Sequence, residues 1–388
     1  MNTKFLQYIF KTFFQKLFIL FYGNIKESED LSLIDLKKIK LKNIYSDTSQ
    51  EKYYVYEIEK GRIYTDAVEN VAILKNNIIV PNISYQQIDG ELKNSKFNKV
   101  LSAGTPRIKK KISGTVFSMI QGASGNNYFH FLFDVIPRIK MCEEVYNLKD
   151  VDYFYVPNDH DWQLKILNAL GIKNDKIINS DRYRHIQADK ILATDHPWYK
   201  KGKIQSEVMK IPSWTVFWLR EKFLSMAKKF ENSEKIFIDR SESNFKHCQL
   251  QNNDQIIEFL SSKGFKSYKV GQLNFYEQIY LFQNAKKIIG PHGAAFANVA
   301  FCDSKCKIIE ILPEDHLNKG TQKICNILNL NYQRIVTPRL HYNKDKIGDM
   351  NFSIDDLNEV LESARSGIFS VAGQICTAMS RLVVHKSI

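Results

Sequence analysis

The chain has 388 residues, of which 44% are hydrophobic, 12% aromatic and 25% charged, enough apolar material for one large or two ordinary domains and too much for a disordered chain. The 55 basic against 42 acidic residues leave a formal charge of +13, which favours anionic partners. Nucleic acid is set aside as that partner, because the lysines are scattered and no groove-reading or base-stacking motif is present.

The first 22 residues are dominated by Phe, Leu, Ile and Tyr, with Lys4, Gln7, Lys11 and Gln15 recurring every three or four positions along one helical stripe. The longest unbroken apolar run is too short to span a bilayer, and no small-residue cleavage site follows. Residues 1–23 therefore read as an amphipathic helix lying on the inner face of the cell membrane, its lysines toward anionic head groups. A helix packed on the protein's own core or in a dimer would show the same pattern. Six dispersed cysteines without a secretory signal read as reduced thiols of a cytoplasmic protein. Cys302 and Cys306 lack a second Cys/His pair at zinc-like spacing, so no metal site is expected.

Residues 24–50 are charged and polar and read as a linker. Residues 51–212 read as a first lobe. It opens with short β-like segments at 53–58, 71–74, 78–80 and 116–120, broken by turn formers such as Asp89-Gly90. Helices at 128–145 and 162–170 then alternate with strands at 153–156 and 190–193. Residues 213–350 read as a second lobe with cleaner alternation: a helix at 213–230, strands at 235–239, 265–268, 287–289, 307–311 and 332–336, and helices between them. The expected class is α/β, two facing Rossmann-like lobes with parallel sheets and a ligand cleft at the carboxyl ends of the strands. Residues 351–388 read as a further helix at 355–363 and an apolar–small tail that could return to the first lobe.

Three clusters could carry chemistry. In the first, a Gly/Ser/Asn turn from Gly122 through Asn126 leads into an aromatic helix bearing His130, Asp134 and Arg138 at steps of four. These share one helical face, so His130 or Asp134 could deprotonate an acceptor hydroxyl, with Asn126 and Arg138 in support. A purely structural His–Asp–Arg row is the competing reading. In the second, Arg240 leaves the end of strand 235–239 and Lys246 follows in a basic loop, a fork and a point charge suited to a diphosphate. The third and most informative run is Ile288-Ile289-Gly290-Pro291-His292-Gly293-Ala294-Ala295-Phe296-Ala297-Asn298. A β-branched strand enters a glycine-bracketed turn and a small-residue helix begins at Ala294, presenting unpaired N–H groups to an anion. Glu310 interrupts the next apolar strand, where it could accept from ribose hydroxyls or form a core salt bridge. No Asp pair of the metal-holding kind stands at a strand end, so no cofactor or metal is called for.

With these motifs in order over residues 115–312, the chain resembles the family 61 glycosyltransferases, bacterial members of which build capsular polysaccharide. The resemblance rests on Gly125–Arg138, on Phe237–Arg240 with Lys246, and on Gly290–Asn298 through Phe301 to Glu310-Ile311. It departs from the family pattern at Phe131 (commonly Trp), Asp239 (Ser), and Ala295-Phe296 (Gly-Leu). The resemblance implies a GT-B fold and inverting, usually metal-independent transfer from a nucleotide sugar to a glycan or lipid-linked glycan acceptor, in capsule, lipopolysaccharide or related surface polysaccharide. Arg240, Lys246, Gly290, His292, Gly293, Ala294 and Glu310 would then form the donor side, and His130 or Asp134 the base in the acceptor-side lobe. A non-catalytic nucleotide-binding scaffold of the same assembly is the alternative.

Overall fold

The computed structural model describes residues 3–28, 36–45, 52–66, 70–120, 125–231, 233–243, 247–338, 340 and 349–369. The chain forms two compact units, Met1–Leu219 and Arg220–Ile388. The division falls inside the helix Ser213–Phe223, a few residues beyond the boundary expected at 212/213.

The first unit is a nine-stranded mixed sheet. Its parallel half runs Ile177–Asn179, Tyr153–Val156, Lys110–Ser118, His185–Thr194. The Val/Ile/Phe/Tyr-rich strands Lys110–Ser118 and Tyr153–Val156 are joined through the aromatic helix, and the next crossover uses the helix Asp161–Ala169. His185–Thr194 is the hinge of the sheet. Its first residues pair antiparallel with Arg62–Tyr64 and its last with Lys52–Glu59. Lys60, at φ 53°, turns the chain between those two partners. The parallel sheet expected for this lobe is therefore only half of it.

Residues 24–50 are not merely a linker. Lys37–Tyr45 is a strand paired antiparallel with Lys52–Glu59, burying Leu41 and Ile44. Its apolar positions Ile39, Leu41 and Ile44 do not keep a period of two, because the pairing shifts register between Lys40 and Tyr45, and exposed lysines stand between them as on an edge strand. A small antiparallel sheet of Gln86–Ile88, Glu91–Lys93 and Gly202–Lys203 also went unread; the Asp89-Gly90 turn closes its hairpin with both residues at positive φ.

Thr3–Tyr22 is an α-helix, and Phe5, Tyr8, Phe10, Phe13, Leu20 and Phe21 are exposed on it. Among the described residues no helix is long and apolar enough to cross a membrane.

The second unit is a five-stranded, wholly parallel sheet in the order Lys266–Tyr268, Lys235–Ile238, Lys287–Pro291, Lys307–Pro313, Asn331–Thr337. The three central strands are near-continuous apolar runs, as burial on both faces requires, while the edge strands Lys266–Tyr268 and Asn331–Thr337 carry polar residues. The strand order reverses between Lys235–Ile238 and Lys287–Pro291. At such a switch point the loops leaving the carboxyl ends diverge and open a crevice. The helix Ile354–Phe369 begins at the expected place, with Leu357 and Leu361 in the core beside Ile256 and Leu260. The tail from 370 onward, for which a return to the first lobe was considered, lies outside the described residues.

Candidate active site

The switch point of the second unit delivers two of the expected residues together. Arg240 follows the first strand and His292 the third. Gly290 permits the close approach of those strands, since a Cβ there would stand 2.8 Å from the Cβ of Ile238 and 3.1 Å from its carbonyl oxygen. Gly293 has extended backbone, so its need for glycine is spatial: a Cβ would land on the guanidinium of Arg240. The arginine thus lies directly over the turn that opens the Ala294–Phe301 helix.

Arg240 is 8% exposed, and among the described residues no carboxylate pairs with it. Its Nη2 donates to Ser243 Oγ at 3.4 Å and to the His247 carbonyl at 3.3 Å, while Nε has no partner. Burial lowers its pKa from the ordinary arginine value. Asp239, adjacent in sequence, is occupied elsewhere, accepting from Ser241 N and Asn253 Nδ2 and so tying the strand end to the helix Asn253–Ser262. A buried guanidinium held by long neutral contacts is an anion site in waiting.

His292 is held by Glu310, with Nδ1 2.6 Å from Oε1. Glu310 is fully buried, and the hydroxyls of Thr321 (2.8 Å) and Tyr332 (2.7 Å) also donate to it. Both its oxygens are thereby engaged within the protein. The ring of His316 stands 5.2 Å from that of His292 and 6.2 Å from that of His247. Burial, then the neighbouring cations, push the imidazoles of His247 and His316 down to about 4.

The Ala294–Phe301 segment is a 3₁₀ helix, tighter than an α-helix. Its residues from Phe296 on are buried, and Asn298 anchors it by donating to the Ala295 carbonyl and to Gln278 Oε1. Ala294 opens it as expected. Lys246 lies outside the described residues.

In the first unit the aromatic helix is irregular where it matters. Residues Tyr128–His130 are α-helical, Phe131–Val135 form a π turn, and Pro137–Glu143 resume the α-helix. Pro137 explains the widening: it has no N–H for the Phe133 carbonyl and its ring would press on that group, so Ile136 N reaches back to Phe131 O instead. Asn127 caps the start by accepting from Phe129 N.

His130 and Asp134 do meet, with Nδ1 2.7 Å from Oδ2. The imidazole is 16% exposed and the carboxylate 1%. Asp134 also accepts from Trp198 Nε1 at 2.8 Å, and His196 Nε2 stands 3.7 Å away. Burial alone would raise the Asp134 carboxyl, but the charge and hydrogen bond of His130, reinforced by His196, hold it at about 2. His196 is itself pushed down to about 4 by burial. Its Nδ1 accepts from the backbone of Trp198 and Tyr199, which fixes its tautomer. Arg138 is fully buried, donating to the carbonyls of Asp134, Thr194 and Asp195; it braces the helix against the strand His185–Thr194. Asn126 bridges Asp181 and Gln163 at the helix entrance.

Most of both constellations falls within one region of homology: residues 128–309 match the family model Glycosyltransferase 61, which stops one residue short of Glu310. Residues 128–309 are a glycosyltransferase 61 domain. The protein is accordingly a glycosyltransferase. No curated protein matches the chain.

Four groups were not singled out by the sequence, His196, Trp198 and His247 inside the glycosyltransferase 61 domain and His316 beyond its end. His196 and Trp198 lie in a loop after a buried strand, where His-Pro-Trp-Tyr gave a sign of packed aromatic structure but none of its aim. His247 and His316 are lone histidines in loops, and only the fold brings them beside His292. Among the described residues no group of three or more His, Cys, Asp or Glu side chains is arranged to hold a metal ion.

Proposed function

We propose that this glycosyltransferase is an inverting enzyme that transfers a sugar from a nucleotide-sugar donor to a glycan acceptor of surface polysaccharide, without calling on a metal ion. The single observation that carries the donor side is Arg240, a buried cation with no carboxylate partner among the described residues, laid over Gly293 at a topological switch point. A nucleoside diphosphate is the anion class that such a crevice accommodates. Arg240, the amides at Ala294 and Ala295, and the His292 ring would take up the charge that develops on the departing diphosphate. Glu310 fixes the orientation of that ring by accepting from Nδ1–H, which supports a positioning role for it in place of the ribose contact.

His130 is the proposed base. With Nδ1–H directed at Asp134, Nε2 is the nitrogen that receives the acceptor hydroxyl's proton as the oxygen attacks the anomeric carbon. The bond from that carbon to the diphosphate breaks on the opposite face, inverting the centre. Asp134, ionised at every physiological pH, stabilises the imidazolium that results. The exposed apolar helix Thr3–Tyr22 is proposed to rest on the membrane surface, at the cytoplasmic face where nucleotide sugars are available.

Isothermal titration with UDP, GDP and CMP, followed by mass spectrometry of products from a nucleotide-sugar panel, tests the reading. One nucleotide should bind, and Arg240→Ala should weaken it roughly 10- to 100-fold, in keeping with loss of a charge-assisted hydrogen bond. Unaltered binding in that variant, or no nucleotide binding by the parent, would overturn the donor-site assignment.

A further inference from the structure

A second cationic feature lies in the first unit, lined by residues given no role above. Phe18, Pro106, Arg107, Ile108, Lys110, Arg182, Tyr183, Arg184 and His185 line a pocket of about 390 Å³. Four of these are permanent cations and none is acidic. Lys110 Nζ lies 3.7 Å from the centre of the Tyr183 ring, and the Arg182 guanidinium 5.3 Å from it, so two charges flank one aromatic wall. Arg184 is the best satisfied of the four, donating to the Asp66 and Asp181 carbonyls, with the Asp181 carboxylate at 3.8 Å. Lys109, next to the lining residues, has its pKa lowered by burial and by Arg62 and Lys111. His185 donates from Nδ1 to the Arg107 carbonyl and is kept neutral, its pKa down at about 4 through burial.

The pocket is built onto the last turn of the N-terminal helix. Phe18 forms part of its wall, and Tyr22 stacks on Phe18 while accepting from Lys109 N. Ile19 packs over Gly104. Beside these cations the surface is apolar where a soluble face would be polar: Ile108 is 83% exposed, and Leu20 and Phe21 are exposed within a turn of Phe18. A nucleic-acid groove has no use for protruding aliphatic groups. Cations set among exposed aliphatic and aromatic side chains match the boundary between lipid head groups and acyl chains.

We propose that this pocket binds the phosphate of an anionic phospholipid head group, with Arg107, Lys110 and Arg182 contacting the phosphate while Ile108, Leu20 and Phe21 enter the acyl boundary. The assignment rests on the membrane-surface reading of the N-terminal helix and adds to it a defined lipid site that fixes how the first unit meets the bilayer.

Co-sedimentation of the full-length protein with phosphatidylcholine vesicles, with and without phosphatidylglycerol, tests both levels. The parent should bind the anionic vesicles more tightly. A Lys110→Ala/Arg182→Ala variant should lose roughly thirtyfold of that affinity, about fivefold for each charge at the surface, while keeping the parent's binding to neutral vesicles and its melting temperature. A Phe10→Asp/Phe13→Asp variant should lose binding to both. If the pocket variant binds anionic vesicles as the parent does, the head-group site is wrong and the membrane reading stands. If the parent binds neither vesicle, both fall. Inorganic phosphate that abolished vesicle binding at equal phosphate concentration would overturn the lipid assignment in favour of a free anion.

Discussion

Gly293 and Arg240 are separated by more than fifty positions in the sequence, yet neither has its role without the other. The missing Cβ makes room for a planar guanidinium, which then lies against backbone at a helix entrance. Gly293→Ala therefore tests the donor site without deleting a charge. The methyl must displace the guanidinium, because the clash is with the side chain's functional end. Turnover should drop on the order of 100-fold, as when one preorganised oxyanion donor is lost, while the melting temperature moves by only a few degrees. Comparing kcat with thermal unfolding checks this, and full activity in the alanine variant would remove Arg240 from the mechanism. At the same scale Asp134→Asn should leave His130 in place but take away its stabilising charge and its tautomer control. A loss of about 10²- to 10⁴-fold in kcat is expected, the range for disabling a general base.

At the scale of elements, the second unit was largely legible, because its central strands are short apolar runs bounded by turn formers and its α-helices carry 3.6-residue periodicity; the helix expected over 213–230 instead stops at Phe223 and gives way to a 3₁₀ turn at Leu224–Met226. Glycine, proline and histidine at 290–293 could be read as a turn because the first two have few other uses after a buried strand. What the sequence hid was of two kinds. Lys37–Tyr45 was masked by interspersed lysines, and the gathering of His247, His292 and His316 depends on loops whose paths no local pattern determines. The aromatic helix belongs to a third kind: its existence was plain, its π turn was not. Pro137 was the available clue. Pro137→Ala restores an N–H and relieves the pressure on the Phe133 carbonyl, which favours closing the π turn to regular α-helix. Closure would rotate His130 relative to Arg138, still anchored to the Thr194 and Asp195 carbonyls. We expect kcat to fall about tenfold or more with stability nearly unchanged, since the gained hydrogen bond offsets the lost proline rigidity. Unchanged turnover alongside a crystallographically regular helix would show that the π geometry does not set the base.

Over the whole molecule, four histidines, His185 and His196 in the first unit and His247 and His316 in the second, have pKa values lowered to about 4. An unfolded histidine titrates near 6.5. Between these values the unfolded chain binds protons that the native protein refuses, so stability present above about pH 6.5 is lost as pH falls toward 4. Each extra proton contributes a slope of about 1.4 kcal/mol per pH unit, discounted for half-buried His247, where solvent screens the charge. Asp195 acts the other way. Burial raises its carboxyl to about 6, so the native state holds a proton there that the unfolded chain, titrating near 3.9, has released, and this cancels roughly one histidine in the first unit between pH 6 and 4. Asp134 contributes only below about pH 4, where its stabilisation is lost as pH falls toward 2. Among the described residues the second unit sets one raised carboxyl, the half-buried Glu242, against its two histidines, where the first sets Asp195 and Asp181 against its two, so the second unit should be the more acid-labile. Urea unfolding at pH 7.5 and 5.5 in buffers without phosphate should show the midpoint falling, with the lower-stability transition assigned to the second unit by limited proteolysis. A bound nucleoside diphosphate would return its histidines' pKa values toward normal, so the stabilisation it confers should be larger at pH 5.5 than at 7.5. A midpoint that held steady or rose on acidification would mean that these imidazoles are solvated, and the closely packed cationic crevice around Arg240 would lose its support.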